Sequence, residues 1–230
     1  MTKPIPRQVA GPAREICAIG RRLYQRGLVA ASEGNISCRL GTDRVLCTPT
    51  MISKGQMRPA DLCIVGLDGR QIWGGRAATS ELQVHLELYR ARADIQAVVH
   101  AHPPHATAFA VTPRTVPPGI LPEFDIFLRH VPIVPYVTPG TLALARKLRP
   151  HAMEACVAIL KNHGAVSWDR SLERALWWME MLDAYCRVLL LARPLGSLDS
   201  IPPINPRSAN ARGPRSARAI VRRRRVAHRA

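Results

Sequence analysis

Apolar residues recur at helical spacing in three stretches of the chain. Between Arg14 and Arg26, Ile16, Ile19 and Leu23 share one face, and Gly27 supplies the stop. From Glu81 to Arg92, Leu82, Leu86 and Tyr89 share a face, with Thr79 or Ser80 as the expected cap. The longest pattern runs from Ser171 to about Leu191 through Leu172, Leu176, Met179, Leu182, Cys186 and Leu189. Shorter helices are expected over 104–111 and 141–148. Between them lie short β-branched runs that read as strands: Ile36 to Arg39, Arg44 to Thr48, Ala97 to His102 and Cys156 to Leu160. Leu62 to Trp73 carries Asp68-Gly69 between two apolar runs, a two-residue hairpin signal. Ile133 to Tyr136, with its proline, reads as a short edge strand, and the rest of 112–140 is proline-rich without a period. Hairpins mixed with helices at both ends predict an α/β fold, a largely antiparallel central sheet flanked by helices.

Composition narrows the function classes. The 230 residues, 47% hydrophobic and 5% aromatic, suit one globular domain packed on aliphatic side chains. Six cysteines are scattered without a Cys-x-x-Cys pair, which suits reduced thiols in a cytoplasmic protein. The start of the chain has no apolar signal core, and no run approaches the ~20 apolar residues of a membrane helix. The net charge of +17 is uneven, because Arg207 to Ala230 holds nine arginines and no acid. Residues 1–206 therefore form the expected catalytic domain, with 24 basic and 16 acidic residues, and 207–230 an expected disordered Arg-rich tail. The tail has no aromatic residue for base stacking, so a solvated extension is preferred to a nucleic-acid partner. A moderately basic body suits an anionic small substrate.

The chemistry gathers around Ala97-Val98-Val99-His100-Ala101-His102, a buried strand ended by Pro103-Pro104. Side chains at i and i+2 leave one face of a strand, so His100 and His102 project together as half of a metal site. His163 sits before Gly164 at a strand end, either a further donor or a turn histidine. Glu81 opens its helix, where the dipole favours a carboxylate whatever its function. His85, one turn later, is a further ligand or, preferably, a packed histidine. His105 completes an H-x-H-x-x-H spacing seen in metallo-hydrolases, but Pro104 stands where that motif needs aspartate.

In order and spacing these residues match a family. Gly34-Asn35-Ile36-Ser37-Cys38-Arg39 fits G-N-x-S-x-R, Thr48-Pro49-Thr50 fits T-P-T, and Thr79-Ser80-Glu81 fits S/T-S-E. His100-Ala101-His102 fits H-x-H, and Asn162-His163-Gly164 fits x-H-G. From about Arg14 to Gly196 the chain resembles the class II aldolase/adducin family, of the L-fuculose-phosphate aldolase type. The resemblance implies an α/β/α sandwich and one Zn2+ per subunit on His100, His102 and His163, with Glu81 as ligand or acid/base. It further implies a phosphate pocket from Gly34, Asn35, Thr50, Thr79 and Ser80, a sugar-phosphate substrate, and a homotetramer.

That chemistry is physically coherent. Retro-aldol cleavage of a ketose 1-phosphate to dihydroxyacetone phosphate and an aldehyde leaves an enediolate, whose charge calls for a Lewis acid. Two positions depart from the family pattern. Met51 replaces the glycine common after T-P-T, and the middle region offers Glu123 where the aldolase has a tyrosine. Glu123 is either a substituted acid/base or a solvated charge. A methylthioribulose-1-phosphate dehydratase and a decarboxylase of a phosphorylated 3-oxo acid are the alternative reactions on the same residues.

Overall fold

A computed structural model describes residues 5–204. The expected tail, 207–230, lies outside the described residues. Eight strands form a single sheet in the order β4-β3-β2-β1-β5-β8-β7-β6. They are β1 (Asn35–Leu40), β2 (Arg44–Cys47), β3 (Cys63–Gly66), β4 (Gln71–Trp73), β5 (Ala97–Ala101), β6 (Ile133–Val134), β7 (Val157–Leu160) and β8 (Gly164–Asp169). Every neighbouring pair is antiparallel except the edge pair β6–β7.

Period-two alternation sends successive side chains to two separate cores. From β5, Ala97, Val99 and Ala101 face a layer built on α1 (Ala10–Gln25), α3 (Pro104–Ala110) and α5 (Leu172–Ala192). Val98 faces the opposite layer, built on α2 (Leu82–Ala91) and α4 (Leu142–Leu148). The central strands are covered on both sides, which makes the α/β/α sandwich expected from the sequence. Gly27 ends α1 with φ +67°, and Gly69 turns the β3–β4 hairpin with φ +90°. Ser171 caps α5 by accepting the Arg174 N–H. Among the described residues no helix is long and apolar enough to cross a membrane.

Two local expectations need correction, and two segments have no assignment from the sequence. The first helix starts at Ala10, four residues before Arg14, because Pro6 and the short 3-10 turn Arg7–Val9 lead into it. Neither Thr79 nor Ser80 takes the cap position of α2, which belongs to Glu81. The Thr79 Oγ1 instead accepts the Glu81 N–H at 3.3 Å and tightens the turn before the helix. Strand β8 carries no alternation and is wholly buried, so the sequence pattern passes over it. The unassigned middle region contains a π-helical turn, Phe124–Leu128, whose Phe124 ring stacks on Tyr185 at 4.1 Å.

Candidate metal and substrate site

Three chain segments meet beside the start of α2. His100 is the fourth residue of β5, and His102 follows the strand, its N–H donating to the Leu28 carbonyl at 3.0 Å. His163 lies in the tight loop between β7 and β8, where Asn162 takes the left-handed φ of 55° that asparagine tolerates. Strand pairing sets Ala101 opposite Ala165 and His100 opposite Val166, which carries the loop to the histidine pair. Two glycines make this approach possible. A Cβ on Gly164 would stand 2.6 Å from the His102 Cδ2 and 2.5 Å from the Ala101 carbonyl. One on Gly34 would stand 2.8 Å from the His100 carbonyl.

The donor nitrogens of His100, His102 and His163 lie within 4.8 Å of one another. The His100 Nε2 is 3.2 Å from the His102 Nε2 and 2.9 Å from a Glu81 oxygen. The second Glu81 oxygen is 3.2 Å from the His163 Nε2. The His100 Nδ1 donates to the Ala165 carbonyl at 2.9 Å, which leaves its Nε2 with a lone pair in the neutral ring. With that ring neutral, lone pairs of imidazole and carboxylate converge on one point, which a metal cation relieves, as does a proton on His100, whose pKa the Glu81 charge raises against the cost of burial. Burial alone would raise the Glu81 carboxyl, but the charge of His100 and hydrogen bonds from His100, His163 and Asn35 hold it far below the usual carboxylate range. Burial and the neighbouring His100 and His163 rings push His102 down to about 4, which keeps its lone pair free. Three imidazoles with an adjoining carboxylate fit a zinc-type ion by donor chemistry, and the carbonyl behind His100 is the second partner such ligands require.

The sequence candidates outside this cluster separate clearly. His85 is fully buried and bonded on both nitrogens, at 2.5 Å to the Asn35 Oδ1 and 2.6 Å to the Ser37 Oγ, so it is no ligand. His105 faces Asp183, which accepts from its Nδ1 at 2.8 Å and from its backbone N–H at 2.9 Å. That pairing caps the start of α3 and ends the metallo-hydrolase reading. Glu123 is exposed ahead of the π-helical turn and is not among the residues lining the cleft.

The cleft at the histidines has a volume of about 210 Å³. Gly34, Asn35, Thr50, Thr79 and Ser80 all line it, together with Met51. The T-P-T and S/T-S-E segments are laid side by side by backbone pairing. Thr79 N–H donates to the Thr48 carbonyl at 3.1 Å, and Thr50 N–H to the Ala77 carbonyl at 3.0 Å. Asn35 holds Glu81 from beneath, its Nδ2 donating to a carboxylate oxygen at 3.0 Å. Met51 adopts φ 54°, the left-handed region where glycine carries no penalty, and its side chain is 78% exposed. Two lining residues have no sequence signal for such a role. Glu33 lies 3.4 Å from the His102 Nδ1, and Lys54 is buried. Both stand in loops without a period or paired partner, so only tertiary placement reveals them.

Comparison with known proteins agrees with this geometry. The model for the class II aldolase and adducin N-terminal domain matches residues 14–190. A 3-oxo-tetronate 4-phosphate decarboxylase of Cupriavidus necator is 36% identical over 173 residues, 74% of this chain and 79% of the relative. An L-fuculose phosphate aldolase of Methanococcus vannielii is 35% identical over 178 residues, 76% of this chain and 93% of the relative. The crystal structure of YgbL from Escherichia coli superposes with a TM-score of 0.78 at 29% identity, covering 84% of this chain and 94% of its own.

Proposed function

The chain belongs to the class II aldolase and adducin family, and from that premise we propose a zinc-dependent lyase that cleaves a short ketose 1-phosphate to dihydroxyacetone phosphate and an aldehyde. The observation that carries this reading is the Glu81 carboxylate, fixed between His100 and His163 in the same cleft as the hydroxyls of Thr50, Thr79 and Ser80. Zinc held by His100, His102 and His163 would supply a Lewis acid for the substrate's carbonyl and neighbouring hydroxyl. Each of the remaining roles falls to a residue of the chain. Thr50, Thr79 and Ser80 offer hydroxyl donors to phosphate oxygens, and the N-terminus of α2 favours an anion there. Asn35 pins one Glu81 oxygen, so the carboxylate stays oriented. As the C3–C4 bond breaks, ionised Glu81 takes the C4 hydroxyl proton, which frees the aldehyde, and returns it to C3 of the enediolate. We further infer a homotetramer, on the family alone.

A second reading is a decarboxylase of a phosphorylated 3-oxo acid. It is favoured by the Cupriavidus necator relative, whose identity matches that of the aldolase relatives, and by the lack of a tyrosine between Pro117 and His130. Both reactions leave electron density on the same substrate carbon, so the same residues serve either.

The test is product analysis of purified enzyme over a panel of ketose 1-phosphates and 3-oxo acid phosphates. Dihydroxyacetone phosphate release supports the aldolase. Carbon dioxide release, or a diketone and water from methylthioribulose 1-phosphate, would replace that assignment and leave the metal cluster in place.

A further inference from the structure

Lys54 is only 1% exposed, yet it lines the cleft. Its Nζ donates to the Ser32 carbonyl at 3.0 Å and the Ile52 carbonyl at 2.7 Å. An ammonium carries three donors, so one N–H is left over. Among the described residues no carboxylate stands within ion-pair distance of it. The cleft's two acids are committed elsewhere: Glu81 to His100 and His163, Glu33 to the Ala30 N–H and His102. A buried charge without a counter-ion costs several kcal/mol and is retained only where something compensates it. The two carbonyls hold the ammonium but do not neutralise it.

The position of Lys54 is as telling as its charge. Ser32 belongs to the loop that delivers Gly34 and Asn35, and Ile52 follows Thr50 and Met51. One side chain thus clasps the two loops that, with the Thr79–Ser80 turn, surround the hydroxyl-lined part of the cleft. Its own backbone is wedged against α1, where a Cβ on Gly20 would stand 2.7 Å from the Lys54 carbonyl.

We propose that Lys54 is the positioning and specificity residue of this cleft, the buried counter-charge that selects a phosphate-class dianion and fixes the loops around it. The proposal rests on the phosphate-pocket reading above and names what sets its charge preference. It is not a catalytic residue, because the carboxylate and imidazoles occupy the reacting end.

Burial lowers the Lys54 ammonium to about 8, so it is charged at neutral pH and loses its proton in mild alkali. The titratable groups that share the cleft with it are Glu33, Glu81 at the cap of α2, and His100, His102 and His163 from β5 and the loops that follow β5 and β7. From α1 comes the Tyr24 phenol, whose ring would stand 2.7 Å from a Cβ on neighbouring Gly55. Lys54→Gln keeps every other titratable group of the cleft, so a change near pH 8 that this variant lacks belongs to Lys54.

Sulfate is a suitable probe, because it stays a dianion throughout this range. Its binding to the full chain is followed by calorimetry and by protection from thermal unfolding, for wild type, Lys54→Gln and Lys54→Met. Gln keeps amide donors for the Ser32 and Ile52 carbonyls, whereas Met keeps only the length. The expected result is a loss of about ten-fold or more in sulfate affinity in both variants at pH 7, the worth of one charged hydrogen bond. Wild-type affinity should also fall as pH rises through about 8, with no such fall in Lys54→Gln. Equal affinity in all three proteins would overturn the role of Lys54 and leave the pocket standing. Absence of sulfate binding to wild type would overturn the pocket and the role of Lys54 together. Should both variants fail to fold, Lys54→Arg takes their place: a fall in wild-type affinity from pH 7 to 9 that Lys54→Arg does not share supports the proposal, and equal pH dependence in the two refutes it.

Discussion

His85 donates through Nε2 to the Asn35 Oδ1 at 2.5 Å, and this bond fixes the direction of a buried chain of hydrogen bonds. Asn35 must present its Nδ2 to the Glu81 carboxylate, which only accepts, so its oxygen faces His85. The His85 Nδ1 then accepts from the Ser37 hydroxyl at 2.6 Å, and Ser37 accepts from the Tyr89 hydroxyl at 2.8 Å. One tautomer of one buried ring thereby sets the orientation of the cleft carboxylate through Asn35, which both side chains meet.

Replacing His85 by Leu leaves the Asn35 oxygen without its donor and the Ser37 hydroxyl without its acceptor, with Tyr89 as the remaining partner of Ser37. Each buried unsatisfied group costs about 1–3 kcal/mol, so a comparable drop in urea-unfolding stability is expected. Burial lowers His85 to about 3 in the folded chain against an ordinary 6.5. Between those values the unfolded chain binds the extra proton, so stability rises with pH across the window and is lost as pH falls from 6.5 toward 3. Unfolding midpoints measured from pH 4 to 7 should show a shallower acid slope in His85→Leu. An unchanged slope would assign the acid sensitivity to another group.

Glu81→Gln preserves size and the contact with Asn35 while removing the proton acceptor. Turnover should fall by ~10²–10⁴-fold, the usual worth of general acid–base catalysis. Metal content should be largely retained if three imidazoles suffice. Parallel kinetics and elemental analysis separate the two roles, since loss of metal alongside activity would make Glu81 a required ligand.

Purified protein should carry about one zinc per chain, and His100→Ala should abolish it. A ligand that binds only the folded state raises its stability by mass action. Chelation should therefore lower Tm in wild type and leave His100→Ala unmoved. Elemental analysis without zinc, or a chelator-insensitive melt, would count against the metal cluster.

Met51→Gly removes the left-handed strain at φ 54° without losing packing, because the side chain is mostly exposed. The left-handed cost of about 1–2 kcal/mol is partly offset by the extra freedom of glycine in the unfolded chain. A net gain of roughly 0.5–1 kcal/mol is expected, read as a rise in the urea midpoint. A stability loss would mean that the thioether makes contacts the exposure does not suggest.

What the sequence made legible follows from how local each determinant is. The Asp68-Gly69 hairpin, the Gly27 stop and the alternation placing His100 beside His102 are written in adjacent residues. So are the motifs that brought Asn35, Thr50, Thr79, Glu81 and His163 onto one candidate list. Strand β8 escaped because both of its faces are buried: Ser167 and Asp169 look polar in sequence but bond to the Ala175 carbonyl and the Trp178 indole. Lys54 escaped because nothing near it in sequence distinguishes a buried lysine from a surface one. The division between His85 as support and His163 as candidate ligand depends on their partners, Asn35 and Ser37 for one and Glu81 with the histidine pair for the other, distances no spacing encodes.

The pairing of β5 with β8 brings His100 and Ala165, 65 positions apart, into hydrogen-bond contact, and Asn35 reaches Glu81 across 46 positions. Closures of that span form late, because chain entropy is spent before any contact rewards it. During synthesis His100 and His102 emerge well before the hairpin that carries His163, and they cannot assemble a three-nitrogen cage alone. Competence of these three histidines to capture an ion would therefore arrive together with the finished sheet, and metal uptake would then act as a chemical clock for the last step of folding.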